Sequence, residues 1–157
     1  MTARFFAFCL GAVAFSTACG GTATGPSAAG PLRVTVQANP TFAPSPDVAM
    51  FSGRVDNVGT ATIELTFPST CQVLPYFVDA RTGQQVTPRG GGFACATVIT
   101  HASLHPGEWL PVAITVKSGD VAVPGFIVLP AGDYRLYARL EDSTYRVQSE
   151  PLAFSLR

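Results

Sequence analysis

The sequence VAMFSGRVDNVGTATIELTF, residues 48–67, decides the fold class. In its second half Ile63, Leu65 and Phe67 alternate with polar residues, and a period of two is typical of a strand that buries one face. Asn57–Thr60, NVGT, lies between the two apolar halves and has the composition of a tight hairpin turn. The stretch therefore predicts two antiparallel strands joined by a turn.

Further strands are predicted about every ten residues along the chain. Their ranges are 32–37, 73–80, 85–87, 93–100, 109–116, 133–140 and 146–156. No window of the chain has the pattern of an amphipathic helix, and 13 prolines and 15 glycines punctuate it. These features predict an all-β fold, an immunoglobulin-like antiparallel β-sandwich of about seven to nine strands.

The first 18 residues predict a signal peptide. A single positive charge at Arg4 precedes the apolar run FFAFCLGAVAF, residues 5–15. At about 1.5 Å per residue this run is too short to cross a hydrocarbon core of about 30 Å, but it has the length of a secretory apolar region. We therefore expect an exported protein.

The sequence STACGG, residues 16–21, resembles the lipobox of bacterial lipoproteins. The resemblance implies that Cys19, preceded by the small residue Ala18, is lipidated and becomes the new N-terminus. Ser16 stands where that family most often has leucine, and ordinary signal peptidase can cut the same bond and leave a free thiol. Gly20 follows Cys19 in place of an aspartate, which favours the outer membrane, on its periplasmic or surface face, over the inner one.

Residues 19–31 predict a flexible tether, and the folded domain is expected to span residues 32–157. The segment GGTATGPSAAGP, residues 20–31, has no large apolar side chain with which to offset its ordering entropy. A flexible chain of this length holds the domain about 20 Å from the bilayer.

Cysteine usage predicts one disulfide. Cys9 leaves with the signal peptide and Cys19 takes the lipid, so Cys71 and Cys95 remain, and an exported compartment is oxidising. Two unpaired buried thiols are the alternative. The chain has no CxxC pair for redox chemistry or a thiolate zinc site, and we expect no cofactor. Without Arg4 the charge is near −1 with no basic stripe, so nucleic acid is not an expected partner.

The middle and C-terminal parts resemble the intracellular proteinase inhibitor (BsuPI-type) domain family. The matching motifs are VDN at 55–57, PYFVDARTGQQV at 75–86, LHPGE at 104–108 and LPAGDYRLYARL at 129–140. The resemblance implies an immunoglobulin-like sandwich and contact with a protease, which for an exported chain is an exported protease. The motif positions are Asn57, Asp79 with Gly83, Pro106–Glu108, and Gly132 with Tyr134, and no inhibitory residue is carried over.

The segment SGDVAVPGFIVLP, residues 118–130, is the candidate partner-binding loop. If exposed, it can enter a protease cleft as an extended strand or add to the sheet edge of a partner. If buried, it is an edge strand interrupted by proline and glycine. Its candidate contact residues are Val121, Val123, Phe126, Ile127 and Leu129.

An enzyme is not expected. His101 and His105, with Glu108, are the candidates for a general base or a metal pair, but their segment leads into a turn and solvated loop histidines are the alternative. Neither an HExxH nor a GxSxG motif is present.

Three aromatic residues have two interpretations. Tyr76 and Phe77 lie in an apolar strand and are expected to be core and sheet-face residues in preference to a ligand platform. Trp109 either anchors a binding patch or caps one end of the sandwich.

The sequence thus predicts a non-catalytic, lipid-anchored envelope module acting by protein–protein contact. It is either an inhibitor of an exported protease or a structural or adhesion module.

Overall fold

The computed structural model describes residues 30–39, 46–90 and 93–157. These residues contain ten strands and no helix. The all-β sandwich with one disulfide that the sequence predicts is confirmed. The predicted signal peptide, Cys19 and the tether as far as residue 29 lie outside the described residues. Within these ranges no helix is long and apolar enough to cross a membrane.

The strands form two four-stranded sheets and one two-stranded sheet, in the orders β1-β2-β7-β8, β10-β9-β4-β5 and β3-β6. In chain order they are β1 Leu32–Ala38, β2 Val48–Asn57, β3 Ile63–Phe67, β4 Val73–Asp79, β5 Gln85–Val86, β6 Thr100–Leu104, β7 Trp109–Ser118, β8 Ile127–Leu129, β9 Gly132–Leu140 and β10 Leu152–Leu156. The count exceeds the expected seven to nine because it includes β8, a strand of three residues within the segment 118–130.

The core lies between the two four-stranded sheets. Phe51 of β2 and Phe154 of β10 meet edge to face with ring centroids 4.9 Å apart, across the interface between the sheets. Along each strand alternate residues are buried, as in β7, where Val112, Ile114 and Val116 are all less than 7% exposed. This is the period of two that the sequence shows, so burial of one face of each sheet stabilises the fold.

The predicted hairpin at Asn57–Thr60 is wrong. β2 pairs with β1 and β7, whereas β3 pairs with β6, so this connection carries the chain from one sheet to another. The reason is long-range: β2 has its antiparallel partners elsewhere in the chain, on both sides. The turn composition is accounted for by an Asx-type turn, in which Asn57 Oδ1 accepts a hydrogen bond from the Gly59 N–H at 2.9 Å.

Two predicted strands differ in extent. Of the range 93–100 only Thr100 is in a strand, β6, and residues 93–99 form an irregular strap tied to Thr70 by hydrogen bonds at Ala96. The range 146–156 is interrupted before Pro151, which has no N–H to donate, and its regular part is β10.

β8 is parallel to β7, in contrast to the other strand pairs of the described residues. Its second edge makes a single antiparallel bridge, in which the Arg89 N–H donates to the Val128 carbonyl at 2.8 Å. The connection between two neighbouring parallel strands must return along the sheet. Residues 119–126 make this return, and they form the loop described next.

Candidate partner-binding site

The segment 118–130 is divided by the structure between surface and core. Val121 and Phe126 are 76% and 40% exposed, and Val123 is partly buried. Ile127 begins β8 and is partly buried, whereas Leu129 is completely buried in the core. Both interpretations of this segment therefore hold for part of it, and Leu129 is inaccessible to a partner.

The exposed part, residues 119–126, is called the β7–β8 loop below, and its conformation is constrained locally. Pro124 and Gly125 occupy the centre of a turn closed by a hydrogen bond from the Phe126 N–H to the Val123 carbonyl at 3.1 Å. Gly125 has a φ of +81°, which matches the third position of a type II turn, where glycine is favoured. At the start of the loop, the Gly119 N–H donates to the Leu129 carbonyl at 2.9 Å.

Charged side chains hold the loop against the domain. Lys117 Nζ lies 5.8 Å from the centroid of the Phe126 ring, within the range of a cation–π contact. Arg89 Nη2 lies 3.7 Å from Asp120 Oδ1. The Arg89 side chain is half exposed and that of Asp120 largely exposed, so this ion pair contributes little to stability.

A cleft of about 640 Å³ lies between the loop and the chain around Arg89, over the outer face of β7. Its lining is mainly apolar and includes Pro88, Arg89, Phe93, Ala113, Thr115 and Phe126. Gly90 closes one side, with a φ of +86° and a position where an added Cβ would lie 2.8 Å from the Ala122 Cβ. Sequence reasoning missed this wall, since the glycines at 90–92 indicate only a break in regular structure.

The predicted disulfide is formed next to this cleft. Cys71 and Cys95 are bonded, with Cα atoms 5.4 Å apart, and Cys71 contributes to the cleft lining. The bond links the strap 93–99 to the chain segment that precedes β4. The strap itself is not part of any sheet. The bond thereby fixes the position of Phe93 in the cleft.

The structure does not bring His101 and His105 together as a pair. His101 lies in β6 and His105 directly after it, and an extended chain separates residues four apart by about 13 Å. Each ring Nδ1 instead lies beside a threonine hydroxyl, at 3.1 Å for Thr66 and 2.9 Å for Thr62. Across residues 30–39, 46–90 and 93–157, no three His, Cys, Asp or Glu side chains converge as metal ligands.

Tyr76 and Phe77 lie on opposite faces of β4. Phe77 is 1% exposed in the core, whereas Tyr76 is partly buried on the outer face beneath Arg139, whose guanidinium carbon is 4.1 Å from the ring centroid. The Tyr76 hydroxyl accepts a hydrogen bond from Arg139 and donates one to Glu141 at 3.2 Å. Burial, followed by the nearby Glu141 carboxylate, raises the pKa of Tyr76. The Tyr76 ring and hydroxyl are thus already engaged by Arg139 and Glu141 within the domain.

The motif residues of the proposed inhibitor resemblance have structural roles. Asp79 Oδ1 accepts hydrogen bonds from the Thr82 and Arg81 N–H groups, at 2.7 and 3.0 Å, and these bonds, above all the one from Thr82, lower the pKa of its carboxyl. Gly83 completes the same turn with a φ of +72°. The Tyr134 hydroxyl donates to the Pro130 carbonyl at 2.7 Å, in the manner of the tyrosine corner of immunoglobulin-like sandwiches.

The PGE turn at 106–108 is likewise structural. Gly107 adopts a φ of +82°, and Glu108 Oε2 accepts a hydrogen bond from the His105 N–H at 2.8 Å. Trp109, which follows it, is 52% exposed, so it does not close the core at this end. The motifs thus build turns and corners, and none of their residues lies within the β7–β8 loop.

No protein-family model and no curated protein matches this chain. Among solved structures, the chain is similar to β-glucosidases from Kluyveromyces marxianus (16% identity, 80% of this chain and 14% of that chain, TM-score 0.40) and Erythrobacter marinus (16%, 80%, 15%, 0.41). A third is β-glucosidase 3B from Thermotoga neapolitana in complex with glucose (17%, 80%, 16%, 0.39). The chain spans no more than 16% of the length of these enzymes.

Proposed function

We propose that this chain is a non-catalytic, exported lipoprotein of the cell envelope that acts by protein–protein contact through the β7–β8 loop. Its partner class is an exported protease, in keeping with the resemblance to the proteinase inhibitor (BsuPI-type) domain. Cys19 carries the lipid, and the outer membrane is the proposed location.

The observation that carries the proposal is the exposure of apolar side chains on a loop that is already constrained. Val121 is 76% exposed, yet the loop is closed by a turn at Pro124–Gly125 and continued directly by the buried strand β8. A loop ordered before binding loses less conformational entropy in the complex, which is the property an inhibitory loop needs. The neighbouring cleft of about 640 Å³ offers a partner a concave surface beside the loop.

The position of the loop supports the same proposal. β1 begins, at Leu32, beside the end of β2 and the start of β7, because Leu32 pairs with Asn57 and Asp56 pairs with Trp109. The loop follows the other end of β7, about 30 Å away for a strand of ten residues. A domain tethered through residue 31 therefore presents the loop away from its anchor.

Inhibition is tested with the chain lacking residues 1–18 and carrying Cys19→Ser, against a panel of cell-envelope serine proteases. We expect saturable inhibition of at least one protease, weakened at least about ten-fold by Val121→Asp or Val121→Pro. Ile99→Asp is the matched control, because Ile99 is 66% exposed and lies outside the loop and the cleft lining. Inhibition that Val121 variants leave intact would assign the contact to another surface.

Anchoring is tested separately, by mass spectrometry of the N-terminal peptide from cell envelopes. A diacylated Cys19 is expected, and Cys19→Ala should move the protein to the soluble fraction. A free Cys19 thiol would contradict the lipoprotein assignment and leave the loop proposal standing.

The second candidate function is a structural or adhesion module without inhibitory activity. It is favoured by the structural roles of Asp79, Glu108 and Tyr134, since the motifs behind the inhibitor resemblance build the sandwich and leave the loop unspecified. Absence of inhibition across the panel, together with recovery of one stable partner by cross-linking in native membranes, would establish this function.

A further inference from the structure

We propose that the end of the domain next to the tether, formed by Pro31, Val58 and Trp109 and called the tether end below, rests on the lipid surface to which Cys19 is anchored. This inference depends on the proposed lipidation of Cys19 and adds a second, non-covalent contact with the membrane.

Backbone hydrogen bonds bring the three residues to one end of the first sheet. The Val58 N–H donates to the Pro31 carbonyl at 2.7 Å, and the Asn57 N–H donates to the Glu108 carbonyl at 2.9 Å. Trp109 follows Glu108 directly and starts β7. The entry of the chain into the domain, the end of β2 and the start of β7 are therefore adjacent.

Apolar side chains are exposed at this end. Val58 is 51% exposed and Trp109 is 52% exposed. Trp109 lies on the outer face of its sheet, because the inward positions of β7 begin with the partly buried Leu110 and alternate from there through Val112. Tryptophan combines a large apolar body with one N–H donor, and it is the residue type enriched where membrane meets water.

The charged groups around the tether end carry no net positive charge. Arg33 and Arg54 both face Asp56, with Arg54 Nε 2.8 Å from Asp56 Oδ1 and Arg33 Nε 3.9 Å from Asp56 Oδ2. Glu108 directly precedes the start of β7, and Glu150 lines the surface groove that also contains Arg33. Two positive and three negative groups give no net attraction to anionic headgroups, so the contact should depend on apolar insertion.

Because the domain is tethered to the membrane, even a weak interaction between the tether end and the lipid surface is sufficient for the two to stay in contact. Eleven residues, 20–30, separate Cys19 from Pro31 in the sequence, and their composition predicts a flexible chain, which at that length spans about 18 Å. The tether end is thus confined near the headgroups at an effective concentration of the order of millimolar, where low intrinsic affinity keeps it bound.

Trp109 reports this contact directly, since it is the only tryptophan in the chain. The full-length lipoprotein is purified from membranes in detergent and reconstituted into phosphatidylcholine vesicles with or without brominated phosphatidylcholine, whose bromine quenches indole fluorescence. We expect brominated lipid to lower the Trp109 emission about two-fold, and no more strongly in phosphatidylethanolamine–phosphatidylglycerol vesicles.

The matched control moves the tryptophan to the far end of the domain. In Trp109→Phe/Val121→Trp the indole replaces the 76% exposed Val121 on the β7–β8 loop, and its emission should be unchanged by brominated lipid. Val58→Asp, with Trp109 retained, should reduce the quenching at least by half without releasing the protein from vesicles.

Two results overturn the inference in distinguishable ways. If Cys19 carries lipid and the protein floats with vesicles, unquenched Trp109 emission excludes the tether-end contact and leaves the anchoring proposal intact. If Cys19 carries no lipid, the anchoring proposal fails, and this inference fails with it.

Discussion

The side-chain amide of Asn57 donates a hydrogen bond to the carbonyl oxygen of Leu104 at 2.8 Å, joining β2 of the first sheet to β6 of the two-stranded sheet. The same nitrogen donates to the Ala61 carbonyl at 2.8 Å, while Asn57 Oδ1 accepts from Gly59. Asn57 is 1% exposed, and its bond to Leu104 is buried, whereas the bonds to Ala61 and from Gly59 are partly buried. The connection from β2 to β3, where the chain changes sheets, therefore depends on the Asn57 side-chain amide, which supplies two donor hydrogens and one acceptor oxygen.

Asn57→Asp should destabilise the domain by about 3–5 kcal/mol, because a buried carboxylate cannot donate to the two carbonyl oxygens that Asn57 satisfies. Asn57→Ala should cost about 2–3 kcal/mol, since it leaves the carbonyls unpaired without adding a charge. Urea denaturation measures both, with exposed Gln37→Ala as a control expected within about 0.5 kcal/mol of the original chain. A loss below about 1 kcal/mol for Asn57→Asp would show that the crossing is held by other contacts.

Removing the Cys71–Cys95 bond should lower the free energy of unfolding by about 3 kcal/mol, because the bond constrains a loop of about 25 residues in the unfolded chain. The comparison is between the original chain and Cys71→Ser/Cys95→Ser, each with and without a reducing agent. Reductant should destabilise the original chain and leave the double variant unchanged. Equal stability of both chains under oxidising conditions would contradict a stabilising role.

The division of the segment 118–130 predicts opposite responses at two of its apolar positions. Leu129→Ala should cost about 2–5 kcal/mol, because Leu129 is completely buried in the core and its truncation leaves a cavity. Val121→Asp should change stability by less than about 0.5 kcal/mol, because Val121 is largely exposed. Thermal and urea unfolding of the two variants decide the matter, and a strongly destabilised Val121→Asp would place the loop within the packed structure.

Stability should fall on acidification in part through Asp79. Hydrogen bonds from the Thr82 and Arg81 N–H groups hold the pKa of Asp79 below its ordinary value of 3.8 in the folded protein. The bonds therefore stabilise fully above about pH 4, and their contribution is lost as the pH falls through the folded pKa.

Asp79→Asn keeps a hydrogen-bond acceptor that does not titrate, so its Tm should fall less steeply than that of the original chain between about pH 4 and pH 2. The difference in Tm between the two proteins near pH 6 measures any effect of the substitution that does not depend on pH. Identical acid slopes would show that Asp133, whose pKa is lowered by hydrogen bonds from Ser155 and Arg157, and other groups carry the acid response instead.

Several features followed from local chemistry alone. The alternation at Ile63, Leu65 and Phe67 predicted a half-buried strand, and these residues are less than 5% exposed in β3. The predicted strands 73–80 and 85–87 correspond to β4 and β5, and the turn between them forms locally because Asp79 and Gly83 lie within five residues of each other. The disulfide followed from counting, since only two cysteines remained to pair.

What the sequence by itself determined is therefore the all-β class, the period of two in strands such as β3, and the turn chemistry at Asp79 and Gly83, with Cys71 and Cys95 as the candidate pair for a disulfide. Tertiary structure alone decided which strands share a sheet. Tertiary contacts decided that the chain passes from the first sheet to the two-stranded sheet after Asn57 and that β8 is parallel to β7. They also decided that Val121 is exposed and Leu129 buried. The physical reason is that strand partners and burial depend on contacts between residues far apart in the chain, whereas periodicity and turn chemistry are read within a few neighbouring residues.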